Sequence, residues 1–307
     1  HMFATGMGPY ADTFFSLTTM LIAIPTGVKI FNWIGTVWGG SIQYKTPMYF
    51  ALGFIAMFII GGLSGVMHAS PPADLQQTDT YFIVAHFHYV LFGGSIFAIT
   101  AGAYYWWPKM FGRLLGEGLG KVHFWMMFVG FNLTFAPMHI LGLNGMPRRV
   151  YTYPEGLGFE LWNMVQTVGS FLIAASFLVF IYNIWKAHRG PATAPADPWH
   201  GATLEWSIPS PPPEFNFAEV PTVHSAEPQW DARRAAGGHL PEPAHHSGAG
   251  IHMPNPSWRP LVAAIGVTIV WVSVLFTAAA WPWWMLTLGG VAIMLYGIFS
   301  WAFEPAG

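Results

Sequence analysis

His86 and His88 flank Phe87 inside an apolar run, Thr80 to Trp107, that contains no Asp, Glu, Lys or Arg. An ionisable side chain in such a run is expensive in a bilayer and is usually functional. Imidazole is also a common axial ligand of haem iron. Helical residues advance by about 100° each, so positions i and i+2 lie about 200° apart. His86 and His88 therefore point to opposite sides of one helix. That helix could hold two different metal centres, with Phe87 wedged between them. Each imidazole must be neutral to act as a ligand and needs a partner to set its tautomer. The sequence does not identify that partner.

Other groupings have chemical potential. Pro25-Thr26-Gly27-Val28-Lys29 lies within the first apolar run. Placing Lys29 there costs about 2.5–3.5 kcal/mol on insertion scales. Thr26 lies about one turn earlier on the same face, and Pro25 cannot donate to the carbonyl of Leu21. A lysine, a hydroxyl and a freed carbonyl make a polar track for water and protons. The competing reading is a lysine snorkelling toward the cytoplasmic face. Gly145-Met146-Pro147-Arg148-Arg149 follows the fourth apolar run. Two adjacent arginines can clamp carboxylates bidentately, and haem propionates are such carboxylates; lipid headgroups are the plainer partner. Asp74 and Asp79 stand just before the two-histidine run. Their carboxylates could bind a hard cation, accept from Arg148 and Arg149, or cap a helix. His123 and His139 are expected to make structural hydrogen bonds. His1, at the chain end, has no reading from physics alone.

The elements that must position these residues are transmembrane helices. The chain of 307 residues is 53% hydrophobic, 17% aromatic and 8% charged, against about 25% charged in soluble domains. Sixteen Trp and eleven Tyr suit interfacial belts. No basic stripe points to nucleic acid, and the absence of Cys excludes disulfides, iron–sulfur clusters and thiolate sites. Spans need about 20 apolar residues, which gives seven candidates: 13–38, 47–67, 80–107, 120–142, 159–187, 259–280 and 282–303. Lys45, Lys109, Arg113, Lys121, Lys186 and Arg189 fall on one side of an alternating topology, which the positive-inside rule makes cytoplasmic. Arg148 and Arg149 break that rule on the outer side, as a pair with a dedicated anionic partner would. Residues 191–257 are rich in Pro, Gly, Ala and His, including His245-His246, and read as an extended cytoplasmic strap whose histidines are solvated. Residues 258–307 hold two further spans with no ionisable residue between Pro260 and Ala302, as lipid-facing or subunit-packing helices would. The first residue is His1 and no signal segment precedes the first span, so the sequence is expected to be a piece of a longer one.

Five motifs now stand in one order. His1-Met2-Phe3, Ile22 to Lys29, Asp79-Thr80-Tyr81, Val84 to Val90 and Gly145 to Arg149 resemble subunit I of haem-copper terminal oxidases. The match runs from residue 1 to about 190. Trp206 to Pro213 and Ile251 to Asn255 resemble the extension of bacterial cytochrome c oxidases whose subunit I has two additional helices. The resemblance implies an all-α polytopic bundle, with the spans here forming part of a subunit of 12–14 spans in the bacterial plasma membrane. It implies that residues 1–190 are the last five core spans. By resemblance, His86 is the axial ligand of the high-spin haem, His88 an axial ligand of the low-spin haem, and His1 a CuB ligand. Thr26 and Lys29 fall on the lysine-containing proton pathway, Arg148 and Arg149 on the propionate arginines, and Asp79 on the outer magnesium site. At that last site the family often has His-Asp, and this chain has Thr78-Asp79.

The implied cofactors are two A-type haems, CuB and magnesium. The implied partners are the upstream part of subunit I, a copper-containing subunit II, subunit III, cytochrome c and the lipid membrane. The implied activity is proton-pumping reduction of dioxygen to water with electrons from cytochrome c. The chain by itself is expected to be inactive, because the second low-spin ligand, two CuB ligands, the redox-active tyrosine and a glutamate-terminated proton pathway lie upstream in the family. A quinol oxidase shares every motif here. A nitric oxide reductase has less use for Lys29. A membrane haem-binding protein without turnover would keep the two histidines alone.

Overall fold

A computed structural model describes residues 1, 3–244, 250–251, 255–276 and 283–305. Met2, His245-His246, His252 to Pro254 and the end of the 259–280 span lie outside the described residues. In lipid a chain satisfies its backbone by closing it into helices, and every long element described is one. They are α1 (Pro9–Leu21), α2 (Ala23–Val37), α3 (Thr46–Ala69), α4 (Pro71–Gln77), α5 (Tyr81–Leu91), α6 (Phe97–Phe111), α7 (Glu117–Leu143), α8 (Glu160–Arg189), α9 (Pro228–Ala235), α10 (Arg259–Val274) and α11 (Trp283–Ala302). Among the described residues, β-pairing is confined to one bridge, Thr80 to Pro147.

Six of the seven expected spans are long and apolar enough to cross a membrane: Pro9–Val37, Thr46–Ala69, Tyr81–Phe111, Glu117–Leu143, Glu160–Arg189 and Trp283–Ala302. The seventh is the shorter Arg259–Val274. Local chemistry shapes two of them. The first is interrupted at Ile22, between α1 and α2. Pro25 offers no N–H to the preceding turn, and the Thr26 hydroxyl donates to the Ile22 carbonyl at 2.8 Å. In the third, a five-residue π turn, Phe92–Ile96, joins α5 to α6; such turns often sit at functional sites.

The body from residue 1 to 212, with 223–244, forms one compact unit. Within it α5 packs on α3 on one side and on α7 on the other, and α7 packs along α8. An aromatic cluster that includes Phe50, Tyr89, Phe97, Phe124, Phe131 and Phe135 fills the interior. Gly142 lets α7 close on the start of α5: a Cβ there would overlap the Phe82 backbone.

Part of the expected strap is folded. Lys109, on the last turn of α6, is 7% exposed. Its ammonium donates to the carbonyls of Ala196, Ile208 and Pro209 at 3.0, 2.7 and 3.3 Å, and it stands 5.3 Å from the centre of the buried Trp206 ring. Trp199 Nε1 donates to the Tyr105 carbonyl at 2.8 Å. A buried ammonium needs its donors filled, and the chain folds back to supply the carbonyls. The described histidines of this region, His200, His224 and His239, are exposed, as expected.

The second unit comprises 213–222 and 245–307. In it α10 and α11 approach through Gly266 and Gly297, where a Cβ would meet the backbone of Met294 and of Ala263. Small residues of this kind allow close helix packing in membranes.

Two outcomes follow. Gly142→Ala should destabilise the α5–α7 contact by about 1–3 kcal/mol through overpacking, read as a lowered unfolding midpoint of the detergent-solubilised protein. Lys109→Met should orphan three buried carbonyls at about 1–3 kcal/mol each. Limited proteolysis should then cut within 191–212 faster than in the parent protein.

Candidate metal centre

The His86 ring lies against α3. Its Nδ1 stands 3.0 Å from the Gly61 carbonyl and 2.8 Å from Ser64 Oγ. A carbonyl only accepts, so Nδ1 carries the hydrogen; the Ser64 hydroxyl donates its own to the same carbonyl at 2.9 Å. The lone pair therefore falls on Nε2. Gly65 leaves room for the ring: a Cβ there would sit 3.1 Å from His86 Cε1. Gly61, Ser64, Gly65 and His68 are spaced i, i+3, i+4 and i+7, one face of α3. The sequence carried that stripe, yet the reading from sequence did not single it out.

His88 lies against α7. Its ring stacks on Phe135 with centroids 4.1 Å apart and planes 15° from parallel. Its Nδ1 donates to the Val84 carbonyl at 2.8 Å, so its lone pair is also on Nε2. The expected opposite-face arrangement is present: one imidazole toward α3, the other toward α7, with the Phe87 ring 4.6 Å from that of His88. Both histidines fit axial ligation of iron, since each has its second nitrogen fixed by a backbone carbonyl.

His1 is placed otherwise than a copper ligand across a haem from His86 would be. Its ring is 5.5 Å from those of both His68 and His86. A porphyrin between two rings needs two van der Waals layers, about 7 Å in all. The arrangement around His1 does not fit copper in that position, and no step is assigned to copper here.

Outside the spans, Arg148 Nε and Nη2 reach Asp79 Oδ1 at 2.8 and 2.7 Å, and the Arg148 amide donates to the Asp79 carbonyl at 2.8 Å. Arg149 Nη1 is 3.9 Å from the same oxygen and is 76% exposed. Of the three readings for Asp79, acceptance from the arginines is the one observed. Among the described residues there is no group of three or more His, Cys, Asp or Glu that could hold a metal ion. Asp74 is 1% exposed, and burial pushes its carboxyl above the ordinary range. It is not the cap of α4, which is Ser70, and it faces His68 Nδ1 at 3.3 Å.

Lys29 is exposed on α2 in this chain by itself, where neither α1 nor α2 has a buried residue. Thr26 shares that helix but spends its hydrogen on Ile22. His123 Nδ1 bonds the Tyr104 hydroxyl at 3.1 Å, and His139 Nδ1 lies 3.3 Å from the Ala136 carbonyl, as expected of structural histidines.

Residues 1–172 match the profile of the family described as cytochrome c and quinol oxidase polypeptide I. The chain belongs to that family. It is similar to cytochrome c oxidase subunit 1 of Bacillus sp. (strain PS3), 52% identical over 270 residues, covering 88% of this chain and 44% of that one. The Bacillus subtilis (strain 168) protein of the same name is 48% identical, covering 90% and 44%. The chain thus spans under half the length of these relatives. A solved heme-copper terminal oxidase dimer matches in fold, with a TM-score of 0.51 at 19% identity, covering 62% of this chain and 39% of that one. Membership makes the chain a multi-pass membrane member of an oxidoreductase family that carries haem and copper.

Asp79→Asn should cost under about 1 kcal/mol, because the ion pair is largely exposed. Elemental analysis of the purified complex should show unchanged magnesium; a loss would favour the metal reading at Asp79 over the ion pair.

Proposed function

We propose that this chain is the carboxy-terminal portion of the catalytic subunit of a proton-pumping bacterial respiratory oxidase. The complex would reduce dioxygen to water with electrons from cytochrome c, at a high-spin haem for which His86 offers its Nε2. The observation that carries the reading is the pair of Nε2 lone pairs on opposite flanks of α5, each fixed by a backbone carbonyl at Nδ1. A single structural histidine needs no such arrangement, and two on opposite faces suit two separate irons.

Haem iron supplies dioxygen binding and electron transfer when bound. This chain's residues do the rest of what is assigned here. His86 would hold the high-spin iron, its ring oriented by Gly61 and Ser64. His88 would hold the low-spin iron, its ring braced by Phe135. Phe87 keeps the two imidazoles apart. Arg148 and Arg149 offer guanidinium donors to A-type haem propionates, with Arg148 already oriented by Asp79. Lys29 Nζ carries protons from the cytoplasmic side along α2, next to Thr26, once neighbouring spans cover that face. The partners are the upstream part of subunit I, the copper-containing subunit II, subunit III and cytochrome c, in the bacterial plasma membrane.

His88→Ala in the assembled complex should abolish the low-spin haem bands and leave the high-spin ones; joint loss of both would overturn separate ligation. Lys29→Met should slow reduction of the high-spin site, followed by stopped-flow absorbance, at constant haem content. Unchanged kinetics would remove Lys29 from the proton route. Turnover with quinol but not cytochrome c would reassign the donor.

A further inference from the structure

We propose that His68 is a positioning residue for His86, and that the Asp74 carboxyl holds the His68 ring in that role. The proposal rests on the reading of His86 as an iron ligand and names the groups that fix its plane.

His68 closes the α3 stripe one turn beyond Ser64. It is 0% exposed. Its ring lies 4.9 Å from that of His86, with planes 54° apart. It also meets the Phe82 ring edge-on at 5.4 Å. The His86 imidazole is therefore held at two places by α3. Gly61 and Ser64 fix Nδ1, which sets where the ring is anchored. His68 stands against the ring itself, which limits rotation about the bond that carries it.

Packing alone does not account for a histidine here. An apolar side chain would fill the space without burying two ring nitrogens, and burying a polar group without a partner is costly. Neither His68 nitrogen makes a well-formed hydrogen bond, and neither Asp74 oxygen does. Still, the two groups face each other, Nδ1 to Oδ1, at 3.3 Å. They come from α3 and α4, which meet at Ser70. The close approach of Nδ1 to Oδ1 favours the ring orientation that brings the two together, a preference that a leucine or methionine lacks. The plane of an axial imidazole governs how its Nε2 lone pair meets the metal, so a wall at this position acts on the iron–histidine bond while touching no iron.

The test is resonance Raman spectroscopy of the reduced, fully assembled oxidase, reading the iron–histidine stretching band of the high-spin haem. His68→Leu and His68→Phe should both shift and broaden that band, with haem content and the low-spin optical bands unchanged. Asp74→Asn should move it in the same direction. The double variant His68→Leu/Asp74→Asn should match His68→Leu alone, because Asp74 acts through His68. An unmoved band in haem-replete His68→Leu or His68→Phe would overturn the proposal. So would an additive double variant. Should His68→Leu fail to assemble, His68→Phe and Asp74→Asn still decide the matter. Failure of the underlying reading looks different: the parent complex itself would show no iron–histidine band that disappears in His86→Ala.

Discussion

An imidazole buried in an apolar helix must place two nitrogens, and this constraint organises the centre of the molecule. Leaving either one without a partner in a low-dielectric interior is costly. At His86 and at His88 one nitrogen is satisfied by a backbone carbonyl, from Gly61 in one case and Val84 in the other. The carbonyl accepts and cannot donate, so the tautomer is decided in both rings. The remaining nitrogen keeps a lone pair and faces outward from α5. In each ring the nitrogen left to serve a metal is the one that the carbonyl does not use.

The two carbonyls have different origins, and the difference matters. Val84 lies one turn back on α5 itself, so the His88 ring is anchored by its own helix and then braced by Phe135 on α7. Gly61 belongs to α3, so the His86 ring depends on the packing of two helices. The stripe of small and polar residues on α3 makes that approach feasible. Helix packing and ring placement are coupled at one flank of α5 and nearly independent at the other.

Charge is handled by the same economy at both ends of the bundle. At one end Asp79 orients Arg148 and ties the loop after α7 to the entry of α5 through the Thr80–Pro147 bridge. At the other end Lys109 gathers three carbonyls from a segment rich in Pro and Gly. Proline-rich chain has few amide donors and many free carbonyls, so a buried ammonium suits it as a partner. The part of the segment that supplies those carbonyls folds against α6 although its composition reads as linker.

The sequence alone determined the class, the long spans, and the opposite-facing pair His86 and His88, because hydropathy and helical angle are local properties. It also determined the family, because long motifs occur in a fixed order. Tertiary structure decided what depends on which helices meet. It supplied Gly61 and Ser64 as the partners of His86, set His68 and Asp74 against each other, and gave Asp79 to Arg148. It also placed the His1 ring against His68 and His86. These are contacts between different elements of the fold, and no periodicity within one helix encodes them.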